Sequence, residues 1–525
     1  MWVDISSNIY EDTEIDIWLQ SQVILNGSKN EIRNIIRAPI TDKQMLIERQ
    51  IAIKQCDDFE NAIYVLAEYE NDVNWALELS ETIEKDEEKA TMFEMLYPTD
   101  WYFKYLCYYN PILSIYHGYK IYLTPLITLS TPISVFLMPY YLFKNTFFKM
   151  SFKEYLMTIK DLITFAFDSK MSFTSFITYI VYIIMYLYGV YQHLDLCYKL
   201  HTNRMNLLKA IEGVAKFVRT AKDIFNNIQD VWSPFRKCSV TRINNFSLAE
   251  GNLSDVFSLW QSSTYRDELK NILEIVYTLD VVSTLSKLYH NEYWCIPTYV
   301  ENDPTILIGM RNPLLDSNQV SNPVLLDKHF IISGANQSGK TLYCKSIATN
   351  YILAQSVGIV MCSKAKIKIV DCIYSYMRVS DVIGKSSYFQ AESECCQTML
   401  AKLKTFEGKN TLFFLDEPLN GTVAIEGESM AYAFCKYIAL NSSTLKCIVS
   451  THFRSLTSLE KDYPKLFKNL STIAIPLDDY RFKFPYNIRN QPSFQCIALE
   501  LLRKTNFPQT LIEDAIKCKK SLTCD

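Results

Sequence analysis

Glycine is scarce. Thirteen in 525 residues are too few for a linker-rich or solenoid chain, so each one that occurs marks a particular backbone demand. Zinc chemistry has no foothold either. The fifteen cysteines include no CxxC pair and no nearby Cys/His set, and zinc needs thiolate or imidazole ligands at short, fixed spacing. No sign of charge dominates. A formal net charge of −4 excludes a globally basic nucleic-acid binder and leaves only local patches open. The start, MWVDISSNIYEDTEIDIW, is acidic and lacks the basic-then-apolar order of a secretory signal. The odd, scattered cysteine set therefore reads as reduced thiols in an intracellular compartment. With 49% hydrophobic and 21% charged residues, the chain as a whole is not disordered, and its length suits about three or four domains.

What is present falls into zones. Residues 1–95 show apolar positions at three- and four-residue spacing (Met45, Ile47, Ile51, then Ile63, Leu66, Val73), the mark of amphipathic helix. The zone 96–195 differs in kind. Ile121 to Phe143 and Met171 to Leu194 carry no charge and are bracketed by Lys120 and Lys144, and by Lys170 and Asp195. A bilayer core about 30 Å thick needs roughly 20 apolar helical residues, so 121–143 and 171–194 are candidate transmembrane helices. Their tyrosine-rich ends suit the membrane interface. The stretch between them places Phe152, Leu156, Ile159, Ile163 and Phe167 on one helical face, as a helix lying on a membrane or on a partner would. The competing reading is a pair of buried core helices, weakened by the lack of a polar stripe. Residues 196–300 return to amphipathic helix. Between 196 and 245 stand nine Lys/Arg against three Asp/Glu, either a solvated face or a phosphate-contacting one. From 301 onward, short β-branched runs alternate with helices, the grammar of an α/β domain.

That domain carries its chemistry at strand ends. Gly334-Ala335-Asn336-Gln337-Ser338-Gly339-Lys340-Thr341 follows an apolar strand and precedes a helix-forming stretch, the context a phosphate-binding loop requires. Gly334 and Gly339 let the backbone approach phosphate at a helix N-terminus. Lys340 can reach the β- and γ-phosphates, and the Thr341 hydroxyl can ligate Mg²⁺. Some 75 residues on, TLFFLDEP ends a strand in Asp416, a Mg²⁺ holder, and Glu417, placed to deprotonate an attacking water. LKCIVSTHF carries Thr451-His452 at its strand end, where the histidine could contact the γ-phosphate or its water. The three motifs together make a chemically complete ATPase.

Further residues resemble one family. Arg311-Asn312-Pro313-Leu314-Leu315 and Val320-Ser321-Asn322 precede the loop, Asn336 lies inside it, Gly384-Lys385-Ser386-Ser387-Tyr388-Phe389 with Glu392 follows, and Asn420-Gly421-Thr422 comes after the acid pair. This set resembles the MutS branch of the ABC-type ATPases, the mismatch-repair proteins. Departures are Ala335 and Ser338 for the loop's usual Pro and Gly, and Val423-Ala424 for Ser-Thr. The resemblance implies an α/β ABC-type P-loop ATPase domain behind an all-α core and lever domain with an inserted hydrophobic helical hairpin. Its parts are a core segment (1–95), the hydrophobic insert (96–195), a helical lever return (196–300), the ATPase domain (301–500) and a C-terminal helix-turn-helix dimerisation segment (501–525). It further implies ATP and Mg²⁺ as cofactors, a homodimer or heterodimer through the ATPase domains, Ser386 reaching the partner's nucleotide, and Phe484 as a contact to the base. On this resemblance no mismatch-reading domain is expected ahead of Ala38, and the apolar hairpin is expected to take the place of the family's DNA-clamping tip. The expected function is a MutS-like ATPase acting on DNA in a mismatch-repair or recombination-related role. It is expected to be membrane-anchored through 121–194, with the ATPase facing the cytosol. The alternative is a membrane-tethered mechanical or scaffolding switch without mismatch recognition.

Overall fold

The computed structural model describes residues 2–98, 100–145, 150–168, 173–225, 235, 251–376, 388–405, 407–477, 481–495, 497–503 and 507–522. The chain divides into two compact units, one of Met1–Tyr64, Gln229–Cys238 and Ile275–Asp525, the other of Val65–Ile228 and Ser239–Glu274.

The first unit is built on β-strands, ten of which form its two larger sheets. In chain order they are β1 (Asp4–Ile5), β2 (Thr298–Val300), β3 (Thr305–Met310), β4 (Asn322–Leu326), β5 (His329–Ser333), β6 (Lys364–Lys368), β7 (Cys372–Tyr376), β8 (Thr411–Asp416), β9 (Leu445–Thr451) and β10 (Phe467–Ser471). Six of them form one sheet in the order β1-β7-β8-β9-β5-β10, with every neighbouring pair parallel. Strands covered on both faces should be apolar throughout rather than alternating. Accordingly β5 and β7 are buried at every residue, and β8 at every residue but its last. A second sheet, β2-β6-β3-β4, is mostly antiparallel, with a register shift at Gly309, which takes φ 64°.

Two features of this unit were not expected from the sequence. The N-terminal segment, read as the start of a separate helical zone, contributes β1 to the edge of the large sheet, with Asp4 opposite Cys372 and Ile5 opposite Ile373. The Tyr374 hydroxyl donates to Asp4 at 2.7 Å, and the Ser375 amide donates to the Ser6 hydroxyl at 3.0 Å. The helix Lys340–Ser356 is correspondingly enclosed, and from Tyr343 to Ser356 every residue except Lys345 is buried. Its interior polar groups are matched. Gln355 accepts the Val370 N–H (3.0 Å) and donates to the Val370 carbonyl (2.9 Å). Asn350 donates to the Arg311 carbonyl (3.0 Å) and accepts the Met361 N–H (2.8 Å).

His329, at the start of β5, is buried and accepts the Cys447 N–H on Nδ1 at 3.0 Å. That bond uses the lone pair a proton would occupy. Burial, with Lys446 adding repulsion, pushes its pKa from 6.5 down to about 3. Between those two values the unfolded chain binds a proton that the folded chain refuses. Stability is therefore lost as pH falls from 6.5 toward 3, by about 1.4 kcal/mol per unit at most. His329→Gln, which can still accept the amide, should flatten this acid slope in urea midpoints measured against pH. Identical slopes in the two proteins would remove His329 as the cause.

The second unit is helical. Its core gathers Phe93, Tyr97, Phe257 and Trp260, with ring centroids 5.5–6.2 Å apart, and the Tyr97 hydroxyl donates to the Leu253 carbonyl at 3.1 Å. The uncharged run 171–194 and the amphipathic stretch after it form one helix, Phe173–Phe225, of 53 residues. Its second half buries Ile211, Val214, Phe217, Val218 and Ala221, whereas Val181, Ile183, Ile184, Met185 and Leu187 in its first half are exposed. The run 121–143 lies in helical residues 110–145, with a π-helical turn at Tyr119–Leu123. Contacts pair Lys120 with Cys197, Tyr122 with His201 and Thr128 with Tyr186, so the two helices run antiparallel. Pro132 lacks the N–H that would meet the Thr128 carbonyl, and the Tyr186 hydroxyl donates to that carbonyl instead, at 3.3 Å. Within the described residues, only 6% of the most apolar window of Asn110–Leu142 or Ile180–Phe225 is buried.

Candidate active site

The residues singled out at strand ends lie on one side of the sheet. β5 and β8 are separated by β9, so the glycine turn after β5, the histidine after β9 and the acid pair at the end of β8 sit in a row at the carboxyl edge. That edge is where open parallel sheets bind ligands.

The turn itself is held by unusual backbone. Gly334 takes φ 150° and Gly339 φ 97°, and a Cβ on Gly334 would lie 2.6 Å from the Thr472 carbonyl oxygen. Gln337 takes φ 65° and, like Asn336, is exposed. Ser338, in place of a glycine, is fully buried and bonded to the Ala335 carbonyl and the Thr472 hydroxyl. That accounts for the departure: the hydroxyl pins the turn to the chain after β10.

Lys340 opens the helix Lys340–Ser356 and is buried. Its Nζ donates to the carbonyls of Gly334 (3.0 Å) and Ala335 (3.2 Å) and lies 3.1 Å from His452 Nε2. Burial lowers its pKa, with Glu417 and Asp416 acting in opposition. The Thr341 hydroxyl donates to the Asp416 carboxylate at 2.9 Å, and the Ser450 hydroxyl donates to it as well. Burial raises the Asp416 pKa, and the two hydroxyls pull it back. Glu417 Oε1 lies 2.7 Å from His452 Nε2, and Asn420 Nδ2 donates to Oε2 at 3.3 Å. The hydrogen bond from His452 holds Glu417 below its ordinary pKa. One nitrogen cannot both donate to Glu417 and accept from Lys340. The shorter contact and the carboxylate charge assign the proton to Nε2, directed at Glu417.

The turn carrying Glu417 is strained. Glu417 takes φ 48° and Leu419 φ 63°, left-handed values that cost about 1–3 kcal/mol each outside glycine and persist only where the surroundings over-determine them. Those surroundings include the bond from the Glu417 N–H to the Ser450 carbonyl (3.0 Å) and the burial of Leu419 in the sheet's apolar cluster.

Beside the helix start lies a cavity of about 430 Å³, lined by Arg311, Asn312, Val320, Gly339, Tyr343 and Tyr486 among others. Tyr486 takes φ 54° and lies against Gly339, whose added Cβ would meet the ring at 2.9 Å. Asn322 holds it there, donating to the Tyr486 carbonyl (2.9 Å) and accepting the Ile488 N–H (2.9 Å). Phe484 packs instead on Ala335, Ala474 and Ile497, with its ring centroid 6.2 Å from that of Tyr486. Ser386 lies outside the described residues. Two residues of the site had escaped the sequence reading. Ser450 was signalled only by a small polar residue in an apolar strand, and Tyr486 sits in a stretch with no periodicity.

The donor set fits Mg²⁺. A hydroxyl and a carboxylate converge within 2.9 Å, hard oxygen ligands of the kind that share the ion with substrate phosphates. Such a site needs no cluster of three or more His, Cys, Asp or Glu, and none occurs among the described residues.

Fold and site define a parallel-sheet α/β domain with a glycine turn, an ammonium and an acid–histidine cluster at its carboxyl edge. Residues 330–523, a little over a third of the chain, match the family model described as MutS domain V. The chain is 27% identical over 264 residues to the DNA mismatch repair protein MutS of Staphylococcus haemolyticus, a match covering 48% of this chain and 29% of that one. The proteins of the same name from Staphylococcus aureus strain MRSA252 (26% over 263 residues) and Staphylococcus epidermidis (25% over 264 residues) are covered to the same shares. The matched stretch thus spans less than a third of these relatives' length.

Proposed function

We propose that the chain is a MutS-type P-loop ATPase that binds and hydrolyses Mg·ATP and is tethered to a membrane. The observation carrying this reading is the hydrogen-bonded set Lys340, His452 and Glu417 standing beside the hydrogen-bonded pair Thr341 and Asp416. Phosphates would meet the backbone N–H groups and Lys340 at the helix start. Thr341 and Asp416 would hold Mg²⁺, which when bound neutralises charge on the phosphate oxygens. Glu417 is ionised at neutral pH and acts as the base for water, with His452 and Asn420 fixing one carboxylate oxygen each. The base of the nucleotide would rest in the cavity against Tyr486, with Phe484 behind it. A second ATPase domain, of the same or a related chain, would close the site through Ser386, as the family relation suggests.

DNA is the partner suggested by the relatives' name, with the basic stretch 196–245 as its contact. The second reading is the same engine driving a membrane-tethered switch without mismatch recognition. Both readings share the tether, which the exposed apolar residues in Asn110–Leu142 and Phe173–Phe225 support. The protein purified in detergent should hydrolyse ATP, and duplex, mismatched or branched DNA should stimulate turnover with a steep salt dependence. Turnover indifferent to DNA selects the second reading, and no turnover overturns the ATPase. The tether predicts that the chain stays with membranes through carbonate and salt washes and needs detergent for release. Release by carbonate alone would overturn it.

A further inference from the structure

We propose that Glu392 is a positioning residue for Glu417, acting through the turn 417–421; the proposal rests on the ATPase reading above. Glu392 lies near the start of the helix Tyr388–Thr405 and is fully buried. A carboxylate so enclosed needs donors, and it takes them from the backbone of the turn after the acid pair. It accepts the Asn420 N–H at 3.2 Å and the Gly421 N–H at 2.9 Å, one on each oxygen. The same Asn420 turns its side chain back to donate to Glu417 Oε2 at 3.3 Å. An unbroken path of hydrogen bonds thus joins a buried acid on one helix to the carboxylate facing His452. The stretch it spans is the strained one, with left-handed Glu417 and Leu419. Such a turn relaxes unless held from more than one direction. The Glu417 N–H bond to Ser450 holds its start, and Glu392 holds its end. Glu392 touches none of Lys340, Thr341 or Asp416 through these bonds, so its contribution falls on the placement of the base and not on nucleotide binding.

The test uses the full chain in detergent, with Glu392→Gln and Asn420→Ala compared with wild type. Glutamine keeps one acceptor and sets a donor against the second N–H. Alanine at 420 cuts the last bond while leaving Glu392 buried. Both variants should lower kcat by about 10-fold or more while KM for ATP stays within about 3-fold, the pattern of a lost transition-state placement. Wild-type kcat in both variants would overturn the proposal. So would normal turnover in Asn420→Ala beside a Glu392→Gln protein that loses activity and thermal stability together, since that marks a carboxylate needed only for folding. A wild-type chain that does not hydrolyse ATP sinks the ATPase reading separately. Hydrogen exchange across 417–421 then decides: faster exchange in Glu392→Gln upholds the clamp, and unchanged exchange overturns it.

Discussion

Glu417→Gln should stop turnover and leave Mg·ATP binding nearly intact. The substitution keeps shape and an acceptor for His452 Nε2, which sits 2.7 Å from Oε1 in the native protein. What it removes is the capacity to take a proton. General-base assistance contributes typically 10²–10⁴-fold, so steady-state hydrolysis should fall by about that factor. Binding should survive because the phosphate cradle is made by other groups: the glycine turn, the helix start, Lys340 and the Thr341–Asp416 pair. One secondary effect runs against binding. Glu417 supports the buried Lys340 ammonium more than Asp416 does, and its loss weakens that support. Asp416 remains, so the change in affinity should be modest, within about tenfold, or 1.4 kcal/mol. Single-turnover hydrolysis and equilibrium binding of a fluorescent ATP analogue separate the two effects. Undiminished hydrolysis would remove Glu417 as the base. Equal losses of binding and turnover would mean that the carboxylate holds the site together instead of acting on water.

The parts legible in the sequence are those written in short local patterns. A glycine turn ahead of a lysine, an acid pair ending an apolar strand and a histidine ending another could each be read locally, because each requirement is met within a few residues. The α/β character of the C-terminal region was legible for the same reason. Parts depending on distant partners were not. β1 is two residues long, so Asp4–Ile5 offers no periodicity, and it becomes a strand only because the edge of β7 lies beside it. The change from an uncharged run to an amphipathic one near residue 195 looked like a boundary, yet nothing there stops a helix. No proline occurs between Phe173 and Phe225, and Gly189 sits in the helix with open space around it. Composition changed because the surroundings of the side chains changed, not because the backbone did. Tyr486 was out of reach for a third reason. Its place is set by a left-handed backbone and by Asn322, 164 residues away in sequence. Phe484, two residues earlier, was the more conspicuous aromatic, and it packs against the small cluster of Ala335, Ala474 and Ile497.

Lys340→Ala should have the larger effect on nucleotide affinity. The ammonium is buried, donates to two carbonyls of its own turn and lies beside a pair of acids. Removing it does three things. A phosphate bound at this helix start would lose a cation, and neighbouring amides cannot replace a compact ammonium. The Gly334 and Ala335 carbonyls lose a charged donor, a loss of about 1–3 kcal/mol where the oxygens stay buried. Asp416 and Glu417, left adjacent without the cation, repel both each other and the incoming polyphosphate. The last effect makes deletion worse than neutral, so affinity should fall by at least about 100-fold, or 2.7 kcal/mol. Folding should suffer less, because the compensating charge is lost from a site that is already partly open on the Glu417 and His452 side, where about a third of each side chain is exposed. Lys340→Arg is the instructive companion: it restores charge, but its planar fork does not fit a turn built around a point donor, so it should recover stability and little of the affinity. Calorimetric titration with Mg·ATP, read beside thermal unfolding of each variant, distinguishes the cases. Affinity unchanged in Lys340→Ala would mean that the phosphates are not gripped at this helix start, and the roles given to Thr341, Asp416 and Glu417 would fall with it.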